Sequence, residues 1–247
     1  MKKHRVVVTG MGVVAPNASS IDDFRDALLA GRSGVGPITI FDTADLPTRI
    51  AGESRVPERA DFTGRREDGK VLFLKKQENS GLPAFPPSCE IWGGAHALKD
   101  RKILFALEAA RQAHAAATAC GSAPAGVGGV SMGVGLELFA MEDLVRSRQA
   151  GFVLPESLAE RLAFMQTPSD LSVAMMSRAY GATAPPVVHV SACAAGTDAV
   201  GTAYRLVATG RRDFMLAGGT DSMINPLGVA GFCALSATST KNGEPER

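Results

Sequence analysis

Short β-branched runs that stop at glycine alternate along this chain with stretches rich in alanine and leucine. Arg5-Val6-Val7-Val8 runs into the turn Thr9-Gly10-Met11-Gly12 and predicts a buried strand. Ser19 or Ser20 can cap a helix that carries Phe24, Leu28 and Leu29 on one face, with Gly31 just past its end. Lys102 to Ala117 predict a second helix, and Gly126 to Gly135 a strand entering another glycine turn. Met141 to Gln149 and Pro168 to Tyr180 predict helices. Val187 to Val190 predict a strand, Cys193 to Thr209 a helix, and Phe214 to Ala217 a strand before Gly218-Gly219. Buried apolar strands in alternation with helices mean an α/β fold with a largely parallel sheet. Residues 57–97 break the pattern. They hold Pro57, Pro83, Pro86, Pro87 and the charged run Arg65-Arg66-Glu67-Asp68, with no sustained periodicity, and predict an irregular insertion.

Composition narrows the function. Of 247 residues, 45% are hydrophobic and 21% charged, enough apolar material for a sizeable core. Lys and Arg total 26 against 25 for Asp and Glu, so there is no basic excess of the kind a broad nucleic-acid surface needs. The cysteines Cys89, Cys120, Cys193 and Cys233 lie far apart. Neither zinc-ligand spacing nor a disulfide framework is present, and free thiols in a reducing, cytoplasmic compartment are expected. The basic, apolar start is interrupted by Thr9, Gly10 and Gly12 and is too short to span a bilayer, so no membrane partner is expected.

Two motifs carry candidate chemistry. Gly10-x-Gly12-x-x-Ala15 after a strand has the form of a dinucleotide fingerprint, but that site needs a helix to begin inside the turn. Here Pro16 and Asn17 follow and the helix starts only near Ile21, so no nucleotide cofactor is expected. In Val187-Val188-His189-Val190-Ser191-Ala192-Cys193-Ala194-Ala195-Gly196, a buried strand runs into a cysteine at a helix start. A helix N-terminus favours thiolate, and the small residues that follow leave room for a substrate. An inert core cysteine fits the local pattern equally well. His189 is four residues away, about 13 Å along an extended strand and beyond hydrogen-bond reach unless a sharp turn shortens the path, so a packing or hydrogen-bonding role is expected for it. His4, His96 and His114 lie in no catalytic context, leaving a nucleophile without an evident base.

Taken together, these segments resemble the β-ketoacyl-acyl-carrier-protein synthases, the condensing enzymes of fatty-acid and polyketide synthesis. The resemblance rests on Arg5–Gly12, on Ala27–Gly34 with Phe41-Asp42, on Ser191–Gly196, and on Ala217–Asp221 with Pro226–Phe232. It covers residues 1–56 and about 98–247. It implies a thiolase-like fold, present as an N-terminal half with a mixed, largely parallel sheet and helices on both faces. Cys193 would accept an acyl chain from a carrier-protein phosphopantetheine, its N–H would be one oxyanion donor, and decarboxylated malonyl carrier protein would attack. Leu136, in Gly133-Val134-Gly135-Leu136, and Phe232 would line the acyl pocket, although Glu137 replaces a usual glycine; ordinary core packing is the alternative for both.

Arg101 and Lys102 match a basic pair that docks the acidic carrier protein, while Ser236 stands where an arginine often contributes. A homodimer or heterodimer is implied, pairing through the strand before the nucleophile. The family's second half carries two histidines, a lysine and another oxyanion donor, and the chain ends inside a family stretch before reaching them. A non-catalytic fragment or partner protein, and another thiolase-like acyltransferase, are the competing readings. No metal is expected.

Overall fold

The structure, a computed structural model, describes residues 4–55, 100–122, 128–135 and 168–245 together with positions 149 and 151. In chain order the elements are α1 (Ile21–Leu29), β1 (Gly36–Pro37), β2 (Ile50–Ala51), α2 (Arg101–Ala119), β3 (Gly128–Val134), α3 (Pro168–Ala179), β4 (Val187–His189), a 3-10 turn (Ala192–Ala194), α4 (Ala195–Ala208), β5 (Phe214–Thr220) and α5 (Pro226–Ala234). Two compact units divide them. The first holds residues 4–5, 100–107, 128–135 and 168–220; the second holds 6–55, 108–122 and 221–245.

The first unit is built on a parallel sheet of order β4-β3-β5. Ser131 pairs with Val187 and Gly133 with His189 on one side, and Gly128 to Val134 pair with Phe214 to Thr220 on the other. Every residue of β3 is buried. Alternate residues point to opposite faces, so both faces of this central strand are covered. Helix α4 packs on all three strands, and α3 packs on β3 and β4.

Small residues set how closely α4 approaches the sheet. Ala195, Ala199 and Ala203, each four apart, are buried along one stripe of the helix. A Cβ on Gly133 would collide with the backbone of Ala195 and Gly196. A Cβ on Gly219 would stand 3.1 Å from the Cα of Gly196. The strand backbone and the helix backbone therefore touch directly.

In the second unit, Ser20 caps α1 by accepting the Asp23 N–H at 3.1 Å, and Gly31 closes the helix at φ +64°. The expected apolar face of α1 is packed only in part: Phe24 is half-buried, Leu28 and Leu29 are 61% and 81% exposed, and Ala27 alone is buried. The glycines of the Gly10-x-Gly12 motif have a packing role. A Cβ on Gly10 would strike the Ala113 carbonyl, and one on Gly12 the Ala109 carbonyl, so this segment lies flat on the α2 backbone. The Val13 N–H donates to Gln112 Oε1 at 3.1 Å, and Gln112 Nε2 donates to the Ser19 carbonyl at 2.8 Å.

Several expectations need correction. Residues 5–8 form no strand: no described ladder reaches them, and Val7 and Val8 are 59% and 79% exposed. A β-branched run without a hydrogen-bonding neighbour has nothing to hold it in a sheet. Strand β5 continues through Gly218-Gly219 to Thr220, because its pairing with β3 persists to Val134. Helix α5 has no counterpart in the sequence reading. Asn225 caps it by accepting the Gly228 N–H at 2.8 Å, and Pro226 occupies its first turn. The insertion at 57–97 and the predicted helix 141–149, apart from Gln149, lie outside the described residues.

Glu108, buried in α2, accepts two bonds from the Arg111 guanidinium at 2.7 and 2.6 Å and one from Gln112 at 3.0 Å. Burial works to raise its carboxyl, but the bonds from Arg111 and Gln112 and the Arg111 charge outweigh this. The group is held below its ordinary value of 4.5. A depressed carboxylate stabilises the fold above its unfolded pKa, and that stability is lost as pH falls through the folded value. Glu108→Gln is expected to cost about 1–3 kcal/mol at neutral pH. The gap to wild type should close progressively in acid below the ordinary carboxylate value. Paired thermal melts from neutral to acid pH measure this, and a gap that does not change with pH would contradict it.

Candidate active site

After β4 ends at His189, the chain turns tightly before entering α4. Ala192 carries φ +50°, a left-handed backbone that costs a residue with a Cβ about 1 kcal/mol or more. The turn is closed by the Ala194 N–H donating to the Ser191 carbonyl at 3.1 Å, and α4 starts at Ala195. Cys193 thus sits in a 3-10 first turn that runs without a break into α4, at the helix start where the sequence places it. The left-handed step at Ala192 turns the chain out of β4, and the tighter 3-10 geometry carries it from there into α4.

Cys193 is exposed, as are Ser191, Ala192 and Ala194 around it. Its backbone N–H donates to no protein acceptor among the described residues. Ser191 Oγ donates to Asp198 in the first turn of α4, bridging the chain across Cys193. Beneath the turn lies Ser131 of β3, fully buried. Its hydroxyl donates to the Ala199 carbonyl at 3.0 Å and stands 3.0 Å from His189 Nε2.

The other thiols differ in setting. Cys120 is exposed just past α2, and Cys89 lies outside the described residues. Cys233 of α5 is half-buried, with its sulfur 3.5 Å from Thr238 Oγ1. Hydrogen bonds from Thr238 and then Thr48 hold its thiol below the ordinary range, against the opposing effect of burial.

No described histidine is placed as a base for Cys193 within its unit. His189 is committed to Ser131. The His4 N–H donates to the Ala208 carbonyl at 2.8 Å, at the far end of α4 and about 20 Å along the helix from Ala195. His114 belongs to the second unit, and His96 lies outside the described residues.

The remaining expected site residues fare unevenly. Arg101 and Lys102 open α2 in the first unit. The Arg101 guanidinium lies over the Phe105 ring at 5.3 Å and is partly exposed. Lys102 is 2% exposed, its Nζ 3.4 Å from Asp100 Oδ2. It presents no ammonium to a docking partner, which corrects the expectation of a basic pair. The expectation that a lysine stays solvated fails because Asp100, its side chain 15% exposed, offers the buried ammonium a partner. Phe232, on α5 in the second unit, is 37% exposed. Leu136 and Glu137 lie outside the described residues.

Sequence reasoning missed Ser131, Asp198 and the close-approach glycines Gly133 and Gly219. A signal existed for Ser131: it is the one hydroxyl in the otherwise apolar segment Gly128–Val134, and a buried hydroxyl needs partners. Among the described residues, no cluster of three His, Cys, Asp or Glu side chains could hold a metal ion, and no helix is long and apolar enough to cross a membrane.

Comparison with known proteins gives a consistent picture. The family described as "Beta-ketoacyl synthase, N-terminal domain" matches residues 3–79 and 90–247, and the gap in that match falls inside the 57–97 segment. The chain is 34% identical over 251 aligned positions to 3-oxoacyl-[acyl-carrier-protein] synthase 2 of Coxiella burnetii, covering 100% of this chain and 53% of that protein. It is 32% identical to a putative polyketide beta-ketoacyl synthase 1 of Streptomyces halstedii, covering 98% of this chain and 52% of the relative. Among solved structures, a beta-ketoacyl synthase from Burkholderia phymatum superposes with a TM-score of 0.67 at 26% identity, over 100% of this chain and 53% of that one. A type II PKS acyl-carrier protein in complex with its ketosynthase gives 0.59 at 25% identity, over 97% and 50% of the two chains. The chain spans about half the length of the curated relatives it matches.

Proposed function

Because the chain belongs to the β-ketoacyl synthase family, matching its N-terminal domain over most of its length, we propose that it carries the acyl-accepting nucleophile of a 3-oxoacyl-carrier-protein synthase. The nucleophile is Cys193, and the pathway is fatty-acid or polyketide synthesis, the two represented among its relatives. The observation that carries this reading is the exposed Cys193 thiol in a strained turn, held between strand β4 and helix α4.

The sulfur attacks the carbonyl carbon of an acyl thioester, and the bond from that carbon to the carrier's sulfur breaks. The carrier leaves as a thiol with the proton that Cys193 gives up. Charge builds on the carbonyl oxygen in the tetrahedral intermediate, and the N–H of Cys193, which meets no acceptor among the described residues, is suited to receive it. The small side chains of Ala192, Ala194 and Ala195 leave the approach unobstructed. In the second half-reaction, malonyl carrier protein loses carbon dioxide. The resulting carbanion carbon bonds to the acyl carbon, and Cys193 is released as thiolate. Leu136 and Phe232 are proposed to line the acyl chain's path.

The carrier protein is the proposed partner, with Arg101 as the remaining basic contact once Lys102 is set aside. A ketosynthase of similar structure has been solved with its acyl-carrier protein, which supports this choice. A dimer is proposed through the outer edge of β4, which pairs only with β3 among the described residues and is followed by Val190 at 64% exposure. Light scattering that gave a monomer at micromolar concentration would rule the dimer out.

Brief treatment of the folded chain with an acyl thioester, followed by peptide mapping, tests the nucleophile. Cys193 is expected to be modified before Cys89, Cys120 and Cys233. Cys233 is the sharpest competitor, because its hydroxyl partners lower its thiol. First labelling at any other cysteine would overturn the assignment.

A further inference from the structure

We propose that Ser131 and His189 are positioning residues that hold Cys193 in place by closing its loop onto a single oxygen. The inference rests on the acyl-transfer reading of Cys193. The segment from His189 to Ala199 leaves the sheet, makes the left-handed turn with Cys193 at its outer side, and returns as the second turn of α4. Its first residue reaches Ser131 Oγ through Nε2 and its last reaches the same atom through the carbonyl, each at 3.0 Å.

The protons on that oxygen can be assigned by counting. A serine hydroxyl has one hydrogen, and here it is donated to the Ala199 carbonyl. The oxygen must therefore accept from His189, so Nε2 carries the proton. This is a directed chain: His189 N–H to Ser131 oxygen, Ser131 O–H to the Ala199 carbonyl. The anchoring atom is inaccessible to water, since Ser131 and Ala199 are both 0% exposed. Removing the Ser131 hydroxyl would take a partner from both the His189 ring and the Ala199 carbonyl at once.

Two further contacts bracket the thiol. Ser191 bonds to Asp198 above the anchored oxygen, and the backbones of Gly133 and Gly196 meet one turn nearer to Cys193. The glycine contact fixes how closely α4 approaches β3 but, having no side chain, leaves sliding along the strand unopposed. The directional Ser131 bonds resist that sliding. A shift of about 1 Å in the nucleophile is enough to lower a rate about a hundred-fold, which is why this lock matters for the chemistry.

The test uses the full chain and an octanoyl thioester of N-acetylcysteamine, following Cys193 acylation by mass spectrometry over a range of donor concentrations. Ser131→Ala and His189→Met are expected to lower the maximal acylation rate about ten- to a hundred-fold, while the half-saturating concentration changes little. His189→Gln, which keeps an N–H donor at similar reach, is expected to restore the rate to within a few-fold of wild type. Circular dichroism reports whether each variant folds. Should Ser131→Ala not fold, the two His189 variants decide, because that side chain is only half-buried. Folded variants that acylate at the wild-type rate would overturn the proposal, as would His189→Gln falling as far as His189→Met. Absence of Cys193 acylation in the wild-type chain would instead overturn the acyl-transfer reading beneath it.

Discussion

Gly133→Val is expected to yield a chain that neither melts cooperatively nor favours Cys193 in acylation. The reason is a backbone contact with no freedom to adjust. A Cβ at position 133 would collide with the carbonyl carbon and oxygen of Ala195 and with the nitrogen of Gly196. Main-chain atoms cannot rotate away as a side chain can. Strand β3 cannot retreat either, because it is hydrogen-bonded on both edges and buried throughout. The helix would have to lift from the sheet, uncovering Ala195 and Ala199 and breaking the Ser131 link to the Ala199 carbonyl. Overpacking of this severity costs about 3–5 kcal/mol, close to the whole stability of a marginal domain. Gly196→Ala is the contrast. Its Cβ would meet nothing nearer than 3.7 Å, so that variant should fold normally. Thermal melts of the two variants side by side measure the difference. A sharp transition for Gly133→Val at the wild-type temperature would show that α4 is not seated as described.

That contrast marks where the sequence was readable and where it was not. Both positions are glycines beside an apolar pattern, yet only one is sterically obligatory. The distinction depends on a helix that follows some sixty residues later in the chain. What proved legible was local: the apolar runs of β3, β4 and β5, the helical periodicity of α2 and α3, the Ser20 cap, and the small-residue motif around Cys193. These depend on neighbouring residues alone. What failed depended on partners distant in sequence. Residues 5–8 have strand composition but no described ladder, and Lys102, although its partner Asp100 is only two residues away, reads as a surface charge until its burial in the fold is seen. Left-handed backbone at Ala192 was unreadable for another reason, since alanine carries no signal for φ above zero as glycine or asparagine would.

The position of His189 shows the same division in the candidate site. Strand spacing argued against it as a base for Cys193 and for a packing or hydrogen-bonding role, which the bond to Ser131 fits, but nothing local to either residue announced the pairing. Register does: Gly133 lies opposite His189 in the parallel ladder, which puts Ser131 two residues back on the same face as the α4 backbone. A histidine that donates to a buried hydroxyl is a structural element, and its removal from the list of bases has a consequence for the chemistry this polypeptide can perform.

A polypeptide of these 247 residues, expressed by itself, is expected to form no detectable 3-ketoacyl product from acyl and malonyl carrier proteins. The two half-reactions make different demands. Thioester exchange needs a nucleophilic sulfur and a donor for one oxyanion, and the turn at Cys193 offers both in its exposed thiol and in an N–H that meets no acceptor among the described residues. Decarboxylation needs the malonyl thioester carbonyl polarised while negative charge accumulates on it, which calls for separate donors facing a second substrate. In the resembled family that task falls to two histidines of the half that this chain does not span. The four histidines here are not substitutes by sequence: His4, His96, His114 and His189 lie in no matching motif, and His189 is already bonded to Ser131. Loss of one oxyanion-type donor costs about a hundred- to a thousand-fold in rate. Loss of two, with the further donor the second half would supply, carries condensation below detection even where acylation of Cys193 survives. Mass spectrometry of the acylated chain, alongside product analysis after malonyl carrier protein is added, separates the two steps in one sample. Acyl-Cys193 without 3-ketoacyl product is the expected result, and sustained turnover would mean that a group within this chain polarises the malonyl thioester.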